Sequence, residues 1–300
     1  ADALGSYNSK IATPALDALA ESGVVFEDAT GHSSWTRPAM ASILSSRHVP
    51  GHGVMSKLSA LSGTLPTLQK TARESGVQTA AVVTNYNLED RYGFSAGFDD
   101  YRYLGPDRYL GAPVGANRLV AYNVYRLLRE KLFKGAREAR FFYRSAQDVN
   151  QEGLDILDKI GNGSFFLWLH YMEPHDPFFT RDGASYARVS DPYPPASAAP
   201  AFLNAYHDDI ARLDEAIGEL LEALEARGLR DKVTIAFTSD HGEEFAEHGG
   251  YYHGVTLYQE MLHIPFILAG PSIEPGRRQD VARHIDLAPT LASLLGAPSD

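Results

Sequence analysis

Residues 232–242 read KVTIAFTSDHG, a β-branched and aromatic run that ends in an acidic residue, a histidine and a glycine. A short apolar run of this kind, bounded by polar residues, reads as a buried strand. Just upstream, within residues 204–227, Tyr206, Ile210, Leu213, Ile217, Leu220, Leu221 and Leu224 recur three and four apart, and Gly228 follows. That is the period of an amphipathic helix. The alternation continues outward. Residues 78–84 (QTAAVVT), 164–170 (SFFLWLH) and 265–269 read as further short strands. Thr13-Pro14 opens a helix with Leu16, Leu19 and Ala20 on one face and Gly23 as its stop, and residues 287–295 (LAPTLASLL) form a closing helix ended by Gly296. Strands separated by helices imply an α/β fold, a three-layer sandwich with a mainly parallel central sheet covered on both faces. The Pro/Ala/Ser stretch at 191–201 reads as a surface loop.

Ligand sites in such sheets lie beyond the C-terminal strand ends. Here the strands give way to Asn85, then to His170 through Glu173-Pro174-His175-Asp176-Pro177, then to Asp240-His241-Gly242. Adjacent Asp and His at a strand end can both reach one divalent cation, and Gly242 lets the backbone turn sharply. Of eleven histidines, His170, His175, His241, His248 and His253 all fall in or just after strand-end loops. A second segment, Ser33 to Leu44, carries Thr36 just ahead of Pro38, which suits the first position of a helix containing Met40, Ile43 and Leu44. A hydroxyl at a helix N-terminus is either an N-cap or a nucleophile facing an anion site.

Composition narrows the field. The 300 residues are 44% hydrophobic and 22% charged, ordinary for a globular chain and enough for one large domain over 1–300. The absence of cysteine removes disulfides, thiolate metal sites and thiol nucleophiles together. No apolar run approaches the ~20 residues of a membrane-spanning helix. The chain begins at Ala1, as a trimmed or processed form would. Its net charge of −11 argues against general affinity for nucleic acid. The charge is uneven, however. Residues 101–145 hold eight Arg and two Lys against three acidic residues, a net +7, so the remainder carries −18.

Seven ordered segments resemble the sulfatase family of the alkaline phosphatase superfamily. They are TPALDALAESGVVFEDA, SSWTRPAMASILSSRHVPGHGV, GFSAGFDDY, FFLWLHYMEPHDPFF, YHDDIARLDEAIGELLEAL, TSDHGEEFAEHGGYYHGVTLYQEMLHIPFIL and HIDLAPTLASLLG. The family places its nucleophile at the first position of C/S-x-P-x-R. The run Ala41-Ser42-Ile43-Leu44-Ser45-Ser46-Arg47 sets the register, which puts Thr36 at that position and Met40 at the arginine. Threonine cannot become the formylglycine of dedicated sulfatases, so the resemblance points to a threonine-nucleophile, sulfatase-like branch. It further implies Asp240 and His241, with Thr36, as ligands of a divalent ion (Zn, Mn or Ca). His175 and His253 would serve as catalytic contacts to the substrate anion, and Asn85, His170, His248 and Arg37 as substrate contacts. The family's first strand, with its metal-binding aspartates, has no counterpart ahead of Asp2.

These residues together imply a metal-dependent hydrolase of sulfate or phosphate esters that works through a covalent intermediate on Thr36. The open alternatives are a phospho-group transferase and a non-catalytic binding protein that keeps the fold. The expected partner is a small anionic ester, and the resemblance favours an extracytoplasmic location. Residues 102–145 read as a basic helical insertion. Val120, Val124, Leu128 and Leu132 give it an apolar face, with Arg118, Arg126, Arg129 and Lys131 around it. Such a helix either packs on the domain behind a solvated basic rim or forms a lid or docking surface for a membrane or another anionic polymer.

Overall fold

The computed structural model describes residues 1–8, 11–112, 116, 119–132, 142–176, 178–179, 185–186 and 194–298. Its strands are short, and their side chains alternate between two cores as the period of two requires. Helix α1 (Pro14–Glu21) leads into β1 (Gly23–Phe26), then α2 (Thr36–Ser45), α3 (Leu68–Glu74), β2 (Gln78–Val83) and β3 (Asp100–Tyr103). There follow α4 (Val120–Leu132), α5 (Ala146–Ile160), β4 (Phe165–Leu169), α6 (Ala199–Ala226), β5 (Ile235–Thr238), β6 (Phe266–Ala269), β7 (Gly276–Arg278) and α7 (His284–Leu294). One sheet has the order β3-β2-β4, all parallel. The other has the order β7-β1-β6-β5, in which β7 and β1 are parallel and β6 runs against both its neighbours.

Ala81 and Val83 of β2 and Phe266 of β6 enter one core with Met40, Ile43 and Leu44 of α2 and Leu287 of α7. The intervening residues point the other way. Ala80 and Val82 meet Val149 and Ile156 of α5, while Ile267 and Ala269 meet Leu16 and Leu19 of α1 and Ile210, Leu213 and Ile217 of α6. The two sheets therefore share one helical layer, α2 with α7, and are covered on the opposite face by α1, α5 and α6. This is the three-layer α/β arrangement expected from the alternation.

Local chemistry shifts several boundaries. Helix α6 begins at Ala199, inside the stretch read as a loop, of which residues 191–193 lie outside the described set. Helix α2 begins at Thr36, so Pro38 is its third residue rather than its first. Thr13 is the N-cap of α1, but its side chain does not cap. The free N–H groups of Ala15 and Leu16 instead donate to the buried carboxylate of Asp214 in α6, at 3.1 and 2.8 Å. Helix α5 starts with a reciprocal capping box between Ser145 and Asp148.

Residues 102–145 contain a helix, α4, but among the described residues its expected apolar contacts with the domain are absent. Val120, Val124 and Leu128 are exposed, while Tyr122 and Asn123 are half-buried. The reading of a helix packed through its apolar face is therefore corrected. Arg118 lies outside the described residues, as do the side chains of Arg126, Arg129, Lys131 and Leu132.

Two buried histidines tie the α2–α7 layer together. His52 accepts from the Val54 N–H through Nδ1 (3.1 Å) and donates from Nε2 to Ser42 Oγ (3.1 Å). His284 accepts from the His32 N–H through Nδ1 (3.3 Å) and donates from Nε2 to the Ser239 carbonyl (2.9 Å). Burial pushes each imidazole from 6.5 down to about 4. Between those values the unfolded chain binds more protons than the folded one. The stability linked to these groups is therefore complete above pH 6.5 and lost as pH falls towards 4. Melting temperature should drop across that window, and His52→Gln should flatten part of the slope; parallel lines for parent and variant would contradict the assignment.

Candidate active site

Thr36 is the first residue of α2, a helix buried along its whole length, and Trp35 occupies the N-cap with no side-chain bond. The capping role for the threonine is thereby excluded. Its hydroxyl turns instead to two neighbours. The Asn85 amide donates to Thr36 Oγ1 at 3.3 Å, and the hydroxyl lies close enough to the Asp240 carboxylate to help hold that acid down. Asn85 is itself fixed, because its Oδ1 accepts from the Asn87 N–H at 2.9 Å in the turn after β2. The oxygen thus sits between an amide donor and a carboxylate acceptor, at the end of a helix whose dipole favours negative charge.

Asp240 and His241 follow β5. Burial raises the Asp240 carboxyl, yet His241, His170, the Thr36 hydroxyl and His253 outweigh it and hold the acid at about 2. His241 donates from Nδ1 to the Gly242 carbonyl at 2.8 Å, which puts the lone pair on Nε2. That nitrogen is buried without a hydrogen-bond partner among the described residues and lies 3.5 Å from Asp240 Oδ2. His170, from the end of β4, has its pKa lowered by burial, and its Nδ1 is likewise unpartnered. An ionised carboxylate, an orphaned imidazole nitrogen and a hydroxyl oxygen fit the mixed donor set of a divalent transition-metal ion. Gly242 is required for a reason other than a turn: a Cβ there would sit 1.9 Å from the Glu260 carbonyl oxygen.

The histidines close the other side. The His253 ring lies 4.5 Å from that of His241 and 4.7 Å from that of His175. His253 Nδ1 stands 3.1 Å from both carboxylate oxygens of Glu243, which is buried. This pairing fixes the proton on Nδ1 and orients the ring. Glu243 was not among the residues singled out from sequence; the only signal was its place two residues after His241. The preceding residue, Tyr252, is buried with φ of 69°, so strained backbone delivers His253 to this position.

The structure brings together Thr36, Asn85, Asp240, His241, His170, His253 and His175. It places two expected substrate contacts elsewhere. Arg37 is buried, donating to the carbonyls of Ser56, Lys57 and Ser59 and to Asn87 Oδ1, with its guanidinium 3.5 Å above the Tyr92 ring. It braces the loop after α2 instead of facing an anion. His248 is half exposed in a separate group, paired with Glu260 at 2.5 Å, stacked on Tyr258 at 3.6 Å and close to Glu244.

Comparison with known proteins agrees with this architecture. The chain matches the Sulfatase family over residues 1–297. It is 36% identical over 92 residues to a choline-sulfatase of Rhizobium meliloti (strain 1021), a stretch that makes up 31% of this chain and 18% of that protein. It is 37% identical over 92 residues to arylsulfatase K of Xenopus laevis, covering 30% of this chain and 17% of the relative. Among solved structures, the phosphonate monoester hydrolase of Agrobacterium radiobacter superposes with a TM-score of 0.74 at 19% identity, over 99% of this chain and 71% of that one. With its fold and its ordered landmarks in agreement with that match, this chain belongs to the sulfatase family.

Proposed function

We propose that this protein hydrolyses small anionic esters of the sulfate or phosphate type by a covalent route, with Thr36 as nucleophile. The observation that carries the reading is the position of Thr36 Oγ1, held between the Asn85 amide and the Asp240 carboxylate at the buried start of α2. A serine or threonine hydroxyl is a weak nucleophile until a neighbour favours its deprotonated form. The Thr36 proton passes by way of the Asp240 carboxylate to solvent, and the Asn85 amide stabilises the charge left on oxygen. Asp240, His241 and Thr36 would hold a divalent ion, which would supply Lewis acidity at the hydroxyl and favour its deprotonated form. The histidine ligand suits Zn²⁺ or Mn²⁺ better than Ca²⁺, which prefers oxygen donors.

The bond that forms joins Thr36 Oγ1 to sulfur or phosphorus, and the bond that breaks releases the alcohol. His253, oriented by Glu243, and His175 beside it are placed to hold the anion and to protonate the leaving oxygen. Water then cleaves the Thr36 ester and returns the hydroxyl. The substrate class is bracketed by the names of the relatives, which include a choline-sulfatase and a phosphonate monoester hydrolase.

Thr36→Ala should lower turnover of an aryl phosphate, aryl sulfate or phosphonate monoester by roughly three orders of magnitude or more. Its melting temperature should stay near that of the parent; retained turnover would remove Thr36 from the mechanism. Calorimetric titration of the metal-stripped protein with Zn²⁺ or Mn²⁺ should give a binding heat that Asp240→Ala abolishes, and equal heats in both proteins would place the ion elsewhere. Glu243→Gln should reduce kcat by about ten- to a hundred-fold with a smaller change in KM. A pure stability loss with unchanged kinetics would leave Glu243 a packing residue.

A further inference from the structure

The helix α4 has its amphipathic sides reversed relative to a helix of a globular core. Leu119, Val120, Val124, Leu127 and Leu128 are 60%, 78%, 48%, 45% and 53% exposed, whereas Tyr122, opposite the apolar arc of the helix, is half-buried. At 100° per residue, Val120, Val124, Leu127 and Leu128 fall within one continuous arc. Their exposure therefore concerns one face and is not scattered. That face is held outward from below, because Tyr125 meets the buried Tyr109 edge to face at 6.2 Å.

We infer that α4 is an interfacial helix that seats this protein on an anionic phospholipid surface. Three arguments select lipid as the occupant. The first is area. Thirteen residues make a helix about 20 Å long and 10 Å wide, so its apolar face covers on the order of 200 Å², well short of the ~800 Å² per partner of a stable protein interface. A bilayer needs no matching patch, only an apolar strip that can sink among the acyl chains.

The second is charge. Arg126, Arg129 and Lys131 against Glu130 make the helix basic, within a segment of net +7 on a remainder of −18. Each basic residue near an anionic bilayer strengthens binding by on the order of five-fold. The acidic remainder is repelled, so this end alone approaches. The third is sequence: α4 carries Arg126, Arg129, Glu130 and Lys131 within its thirteen described residues, and no described helix is long and apolar enough to cross a membrane.

The inference stands apart from the proposed hydrolase reading and is tested without it. Co-sedimentation with vesicles of phosphatidylcholine containing a quarter phosphatidylglycerol should show binding roughly ten-fold tighter than to phosphatidylcholine alone. The double variant Val124→Asp with Leu128→Asp should lose about ten-fold or more of that binding. Its thermal melt and its turnover of a soluble aryl ester should match the parent. Arg126→Glu with Arg129→Glu should remove the preference for phosphatidylglycerol and the sensitivity to salt. Binding that ignores lipid charge, or that survives both double variants, would overturn the proposal. So would a concentration-dependent dimer in sedimentation velocity that the Val124/Leu128 variant abolishes, since the face would then belong to a second copy.

Discussion

An ionised carboxylate removed from water is unstable unless its surroundings replace the lost hydration. Asp240 sets that requirement at the end of β5, and much of the architecture answers it. The strand β4 must end where His170 can face it, the helix α2 must begin where the Thr36 hydroxyl can bond it, and the loop after Gly242 must bring His253 back. The clamp is extended by His284, which joins the Ser239 carbonyl to the His32 N–H and so links the loop carrying Asp240 to the segment that leads into α2. Moving any of these elements leaves either an uncompensated carboxylate or a misplaced hydroxyl. The fold and the site therefore impose the same constraint.

Much of this was legible before the structure, and the reasons are particular. Asp240-His241 stands out because a buried strand gives way abruptly to polar residues, and Thr36 because it stands two residues before Pro38 at the head of a helix. Glu243 was hidden because its role is a contact with His253 ten residues away, across a hairpin formed by Glu244–Phe245 and Tyr251–Tyr252. Asp214 was hidden for a similar reason: its carboxylate caps α1 across 198 residues of sequence. The antiparallel placement of β6 leaves no trace in a four-residue strand buried on both faces. Helix-face reasoning went astray on α4 because it assumes that the apolar side is the inner one.

The residues beside Thr36, the nucleophile proposed above, show how a recognisable motif can change its side chains. Met40, where the family pattern carries an arginine, is buried in the shared core between the sheets and α7. The guanidinium in this region belongs to Arg37, and its two terminal nitrogens donate to loop carbonyls and to Asn87. No arginine of this helix remains to support an aldehyde hydrate, and a threonine does not need one. Its hydroxyl is served by an amide donor and a carboxylate acceptor, a simpler arrangement that asks only that the oxygen be deprotonated and held in line.

The insertion and the site are related through the direction of the strands. Because β2, β3 and β4 are parallel and in register, their C-terminal ends share one side of the sheet. Asn85 follows β2 and His170 follows β4 on that side, and the insertion leaves β3 from the same side. Its return is stapled by Arg144, which bonds Asp148 in the first turn of α5 at 2.9 Å and reaches Asp107 at 3.5 Å. Arg144 therefore ties the departing residue Asp107 to the start of α5. A helix carried between those two points and resting on a lipid surface orients the strand ends, and with them Thr36 and Asp240, relative to that surface. Ester groups presented at a headgroup layer would then meet the site without a free-diffusing encounter, so seating the protein would raise the local concentration of substrate and leave the chemistry at Thr36 unchanged.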